Sequence, residues 1–183
     1  MQNIKLATSK SIGAFIIVSL AYIASYTITS GFISPIQDLI LPNIPVAGML
    51  FLPHGVRILA AYYYGWKALP LLLPSMYLMW FVDVYGNGVP IDAIHPLISG
   101  ICCVVAVKLA SGAFKGILEK EWKLLLVAGL IGSILSSLIM SLIINMNFFN
   151  ITVFHFVFGD MAGQLALMIM LIYLFRFSRM IKN

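Results

Sequence analysis

A chain of 183 residues that is 62% hydrophobic and only 9% charged, with a mean hydropathy of +1.04, has too few polar groups to coat a water-soluble globule. Its formal charge of +5 reflects 11 Lys and Arg against 6 Asp and Glu; their placement around apolar runs speaks of membrane topology and anionic lipid heads, not of nucleic-acid binding. Tilted ten-residue strand repeats are absent, which argues against an outer-membrane barrel, and the fold class expected is all-α, a polytopic membrane protein with a single integral domain over residues 1–183.

A span needs roughly 20 apolar residues to cross about 30 Å of hydrocarbon. Six stretches qualify: Ile12–Ser34, Pro45–Gly65, Ala68–Val84, Ile94–Phe114, Leu124–Met146 and Thr152–Phe175. In the first, Lys5 and Lys10 precede an apolar run ending near AYIAS, as in a cleavable signal peptide. Ala21, Ser25 and Thr29 recur at every fourth position, however, as in a helix packed against neighbours. In the second, Pro53 sits mid-span, followed by His54, Gly55 and Arg57. Proline removes a backbone donor and crowds the preceding turn, so a kink or a fresh helix start is expected there. The fourth holds the adjacent pair Cys102 and Cys103, which reads as small packing residues. The polar stretch Lys115–Lys123 is too short for a soluble effector. In the fifth span Gly129, Ser133, Ser137 and Ser141 at four-residue spacing make one face small enough for close helix contact.

Short cytoplasmic loops carry the Lys/Arg excess. Six spans with both termini inside put Lys5, Lys10, Lys67, Lys108, Lys115, Lys120, Lys123, Arg176, Arg179 and Lys182 at cytoplasmic ends and leave Asp38, Asp83 and Asp92 outside. The location expected is a bacterial inner membrane.

Arg57 is the one basic residue that breaks this pattern, and Asp160 is a lone carboxylate inside the last span. Charges at bilayer depth are costly, face the bundle interior and mark functional sites. At 1.5 Å per residue His54 lies about 13 Å, and Asp160 about 12 Å, from the outer ends of their spans, so the two share a layer that the long Arg57 side chain also reaches. A helix restarting at Pro53 would open N–H groups and a positive dipole end beside Arg57, an anion site in outline. Asp83, Asn87, Asp92, His95, Asn145, Asn147 and His155 gather on the outer side. The ligand-binding set expected is therefore His54, Arg57, Asp160, His155, Asp83 and His95, forming a cup for a small anionic ligand or a proton. A plain structural Arg57–Asp160 pair is the competing explanation. No nucleophile–base spacing is present and the three histidines fall on three spans, so neither enzymatic activity, cofactor nor metal is expected.

Two segments, FLPHGVRILAAYYYGWKALPLLLPS (Phe51–Ser75) and FGDMAGQLALMIMLIYL (Phe158–Leu174), resemble the MASE1-type integral membrane sensor domain of bacterial signalling proteins. That family shows an aromatic-x-Pro-x-Gly start, an Ala/Leu-rich helix, a Gly-basic turn and a Gly-Asp-x-x-Gly element opening its last helix. Pro53, Gly55, Gly65, Gly159, Asp160 and Gly163 occupy the matching positions. The resemblance covers about a third of the chain and implies a sensory, ligand-binding membrane protein. Family members are fused to cyclase, phosphodiesterase or kinase modules; here output is expected through a partner membrane or signalling protein. From another class, six helices in so short a chain are similar to the substrate-binding component of energy-coupling-factor vitamin transporters, which makes a small-solute or vitamin transporter subunit the alternative.

Overall fold

The computed structural model describes residues 2–40, 50–86, 88, 91–114, 121–143 and 151–182. The expected start of the second span at Pro45, the polar residues Asn87, Asn145 and Asn147, and Lys115 to Lys120 lie outside them. Among the described residues there is no strand. Helix α1 (Gln2–Ile28) runs through a π-helical turn (Thr29–Ile33) into α2 (Ser34–Ile40). Next come α3 (Leu52–Tyr64), a tight turn at Gly65–Lys67, α4 (Ala68–Phe81) and a second π-helical turn (Val82–Gly86). Helices α5 (His95–Ala113), α6 (Glu121–Ile143) and α7 (Ile151–Lys182) complete the bundle.

Five stretches among the described residues are long and apolar enough to cross a membrane: Ser11–Ile40, Leu52–Gly86, His95–Ala113, Glu121–Ile143 and Val153–Met180. The second joins the expected second and third spans, and it does not run straight. Gly65 ends α3 with φ 55° and ψ −130°, a backbone conformation open to glycine. Tyr26 touches both ends of the stretch: its ring meets Phe51 edge-on at 6.0 Å and its hydroxyl donates to Asp83. Ser19, two turns earlier in α1, reaches the Leu71 carbonyl of α4 at 3.4 Å. The stretch therefore doubles back at Gly65, with α4 parallel to α1 and α3 antiparallel to it.

Helix α3 is buried along almost its whole length, including Leu52, His54, Val56, Arg57, Ile58, Ala60 and Ala61. It contacts α1, α4, α5, α6 and α7, the placement expected of a helix enclosed on every side. Its 13 residues span about 20 Å, two-thirds of a hydrocarbon layer. Pro53 stands in the first turn of this helix and does not kink a longer one; proline fits there because the first N–H groups have no intrahelical partner. The small face expected on α1 is rotated: Ser25 and Thr29 are buried with Tyr22, while Ala21 is exposed. On α6 the small residues Gly129, Gly132, Ser133 and Ser141 do turn inward.

Candidate functional site

Helices α3 and α7 meet at backbone distance. The Phe51 N–H donates to the Gly159 carbonyl at 2.9 Å, and Gly163 lies so close that a Cβ built on it would fall 2.6 Å from Phe51 N. Gly55 packs on Gln164 and Leu167, which sets the two helices parallel. Helix α6 closes the third side. A Cβ on Gly129 would stand 2.9 Å from the Gln164 amide nitrogen, so only glycine leaves room for this side chain. Small residues of this kind are what let membrane helices approach closely.

The room so made is filled by polar groups. His54, 1% exposed, has Nε2 at 3.2 Å from the Gly129 carbonyl and Nδ1 at 3.3 Å from Asp160 Oδ2. Arg57 Nη2 lies 3.5 Å from the same Nδ1 and 4.0 Å from Asp160 Oδ1. The guanidinium also stands over the Phe51 ring, 5.4 Å from its centroid, a favourable cation–π placement. One turn along α7, Gln164 donates from Nε2 to the Leu125 carbonyl at 2.7 Å. Two successive carbonyls on one face of α6, Leu125 and Gly129, thus receive side chains from α7 and α3.

Of the six residues expected to form the site, the structure brings three together: His54, Arg57 and Asp160. The expected Arg57–Asp160 pairing is at the outer limit of ion-pair distance, and His54 is the closer partner of the carboxylate. His95, half-buried in the first turn of α5, lies within electrostatic reach of both charges, as do Tyr22 and Cys103. Asp83 is buried in the π-helical turn that follows α4, where Tyr26 of α1 holds it. His155, with a buried Nδ1 that makes no hydrogen bond, forms no ion pair with the trio among the described residues. The outward-opening N–H cluster expected at Pro53 is occupied from within: Leu52 N–H donates to Thr29 Oγ1 at 3.3 Å, Pro53 has none, and His54 N–H donates to the Phe51 carbonyl at 3.3 Å.

Sequence reasoning missed Gln164, Thr29, Tyr26 and the Gly129 carbonyl. Gln164 carried a usable signal, since it stands one helical turn after Asp160 in an otherwise apolar run. Besides His155 Nδ1, three more buried atoms remain without a hydrogen-bond partner among the described residues: Arg57 Nε, Ser133 Oγ and Gln164 Oε1. Compared with protein-family models, with curated proteins and with solved structures, the chain matches none.

Proposed function

We propose that the chain is a proton-responsive sensory protein of a bacterial inner membrane, similar in kind to MASE1-type sensor domains, with six spans, both termini inside, and His54 as its responsive group. One observation carries the reading: both ring nitrogens of His54 are engaged, and by groups with opposite demands. Gly129 O is a carbonyl and only accepts, so Nε2 carries a proton in every state. Nδ1 faces a donor, Arg57 Nη2, and an acceptor, Asp160 Oδ2. A neutral ring accepts from Arg57; a protonated ring donates to Asp160 and repels Arg57. Binding one proton therefore switches Nδ1 from Arg57 to Asp160 and takes an acceptor away from a buried guanidinium.

The exchange would reach three helices at once. Arg57 rests on Phe51, and Phe51 is bonded to α7 through Gly159 and packed on α1 through Tyr26. The charged groups facing His54 are Arg57 on its own helix and Asp160 on α7; Tyr22 on α1 and Cys103 and His95 on α5 lie within electrostatic reach of those two, and Asp83, in the turn after α4, within reach of Tyr22. Helix α6 presents only the Gly129 carbonyl among the described residues. Asp160, 13% exposed against 1% for His54, is the side on which protons enter. Output passes to a partner membrane or signalling protein. The charge distribution supports the orientation: Lys67, Lys108, Lys123, Arg176 and Arg179 collect at the end where Trp66 meets Lys108, and Asp83 and Asp92 at the opposite end. A second reading, a small anionic ligand in place of the proton, is favoured by Arg57 Nε, a buried donor without a hydrogen-bond partner among the described residues.

Nitrogen NMR of histidine-labelled protein in lipid tests the proposal between pH 5 and 8. The neutral His54 ring should carry its proton on Nε2, and Asp160→Asn should shift its titration. A neutral form protonated on Nδ1, or a titration indifferent to Asp160→Asn, overturns it. Stabilisation by carboxylates that Arg57→Gln abolishes would favour the anion reading instead.

A further inference from the structure

Helix α7 outruns α6. Gln164 lies beside Leu125 and Gly129 of α6, so α7, antiparallel to α6, passes the start of α6 near residue 168 and continues for roughly another 14 residues, about 21 Å. From Ile172 to Met180 every residue is exposed, and the bulky ones are apolar or aromatic: Tyr173, Leu174, Phe175, Phe177 and Met180 are each 61–66% or, for Phe177, 60% exposed. Arg176 and Arg179 stand among them, lining with Ile172, Phe175 and Met180 a groove of about 430 Å³. A helix apolar on all sides is stable in lipid, and one that mixes aromatic rings with arginines belongs at headgroup depth.

A second element marks the same level independently. Gly55 packs on Gln164 and Leu167, an offset of about 110 residues between the parallel helices α3 and α7, so Trp66 comes level with Arg176. Trp66 is 49% exposed, and Lys108 Nζ sits 5.1 Å from the centre of its ring. Across the bundle Lys123 stands over Trp122 at 5.7 Å. Tryptophan rings mark the membrane–water interface, and here each carries a cation.

We infer that this end of the molecule, Arg176 and Arg179 with the Trp66–Lys108 pair, is a docking surface for the headgroups of anionic phospholipids, with Phe175 and Met180 lying against the upper acyl chains. Zwitterionic headgroups offer phosphate with a compensating cation and leave the clustered positive charge unmet, whereas an anionic headgroup meets it. Each basic residue near an anionic surface contributes about fivefold in affinity, hence roughly 25-fold for the two arginines. This inference is independent of the His54 proposal.

Quenching of tryptophan fluorescence by brominated lipids tests it, using the full chain with Trp80→Phe so that Trp66 and Trp122 report. Brominated phosphatidylglycerol should displace phosphatidylcholine from the protein more readily than brominated phosphatidylcholine does, and the preference should shrink as salt rises from 50 to 500 mM. Arg176→Gln with Arg179→Gln should remove most of the preference, and Arg176→Lys with Arg179→Lys should keep it. Equal quenching by both lipids, a preference indifferent to salt, or one untouched by the Gln pair overturns the inference. So does loss of the preference on adding inorganic phosphate at matched ionic strength, which would make the arginines a site for the free anion.

Discussion

The α5–α6 contact and the α3–α7 contact both bring helix backbones close, and they do so by different means. At α5–α6, Gly132 faces Ala106 and the backbone of Cys103, so small apolar surfaces simply fit together. Cys102 and Cys103 are buried free thiols of α5, the second of them in this contact, consistent with packing residues. At α3–α7 the glycines Gly55 and Gly163 open a space that His54, Arg57 and Asp160 fill, and a backbone hydrogen bond from Phe51 to Gly159 holds the helices in register. Association in lipid draws no hydrophobic drive from water, so packing alone is enough to hold two helices. The charges at α3–α7 are therefore not needed for assembly, and their desolvation cost makes them a candidate for function.

The largest test of this contrast removes the charges. Arg57→Ala leaves Asp160 and His54 without their cation, and Asp160→Ala leaves a nearly buried guanidinium uncompensated; each should cost about 3–5 kcal/mol. The double replacement should cost less than the sum of the two, because neither charge is then stranded. Reversible unfolding of the four proteins in mixed micelles gives the coupling. Additive losses would mean that the 4.0 Å separation is too long to matter and that His54 alone holds the carboxylate.

How much of this was legible depends on what kind of information each residue carries. His54 and Asp160 came to one layer by counting residues from the ends of their apolar runs, because rise per residue is constant in a helix. Arg57 announced itself as a charge in an apolar run. The doubling back of Leu52–Gly86 was readable from the Gly65–Lys67 break, whereas the length of α7 beyond Phe175 was hidden by aromatic residues that suit lipid and interface alike. Depth alone groups Asp83 and His155 with the site. Depth says nothing about the azimuth of a side chain around its helix, and in a helix of uniform apolarity no polar stripe reveals it. The π-helical turns at Thr29–Ile33 and Val82–Gly86 left no mark in composition.

The glycine spacing provides the next test. A Cβ at Gly163 strikes the backbone of Phe51, which cannot rotate away, whereas a Cβ at Gly132 stands 3.3 Å from Ala106 Cβ and 3.4 Å from Ile58 Cδ1. Overpacking costs about 1–3 kcal/mol, and alanine recovers about 1 kcal/mol over glycine inside a helix. A clash with backbone puts Gly163→Ala at the upper end of that range, a net loss of about 2 kcal/mol, whereas Gly132→Ala should stay close to the parent. Thermal unfolding of both variants in the same lipid measures the difference. Equal losses would show that the two contacts are alike after all and that α3–α7 is no more constrained than its apolar counterpart.

The smallest effect is expected at Gln164, and it bears most directly on whether the polar junction is wet. The side chain is 1% exposed, donates through Nε2 to the Leu125 carbonyl, and leaves Oε1 without a partner among the described residues. Replacing it by leucine loses one hydrogen bond, worth about 1 kcal/mol net, and removes an unsatisfied buried acceptor, which itself costs about 1–3 kcal/mol. The two terms nearly cancel, so Gln164→Leu should be neutral or slightly stabilising, within about 1 kcal/mol of the parent. A loss well above that would require Oε1 to be satisfied, and a buried water is the group that bridges such atoms when two or more polar partners converge on it. Ser133 Oγ and Arg57 Nε are also buried without hydrogen-bond partners among the described residues, and water reaching them would give the His54–Asp160 pair a route for protons through the interior of the bundle. Hydrogen exchange at the Gln164 amide separates the cases: slow exchange together with a neutral substitution describes a dry junction in which protons reach His54 only by way of Asp160.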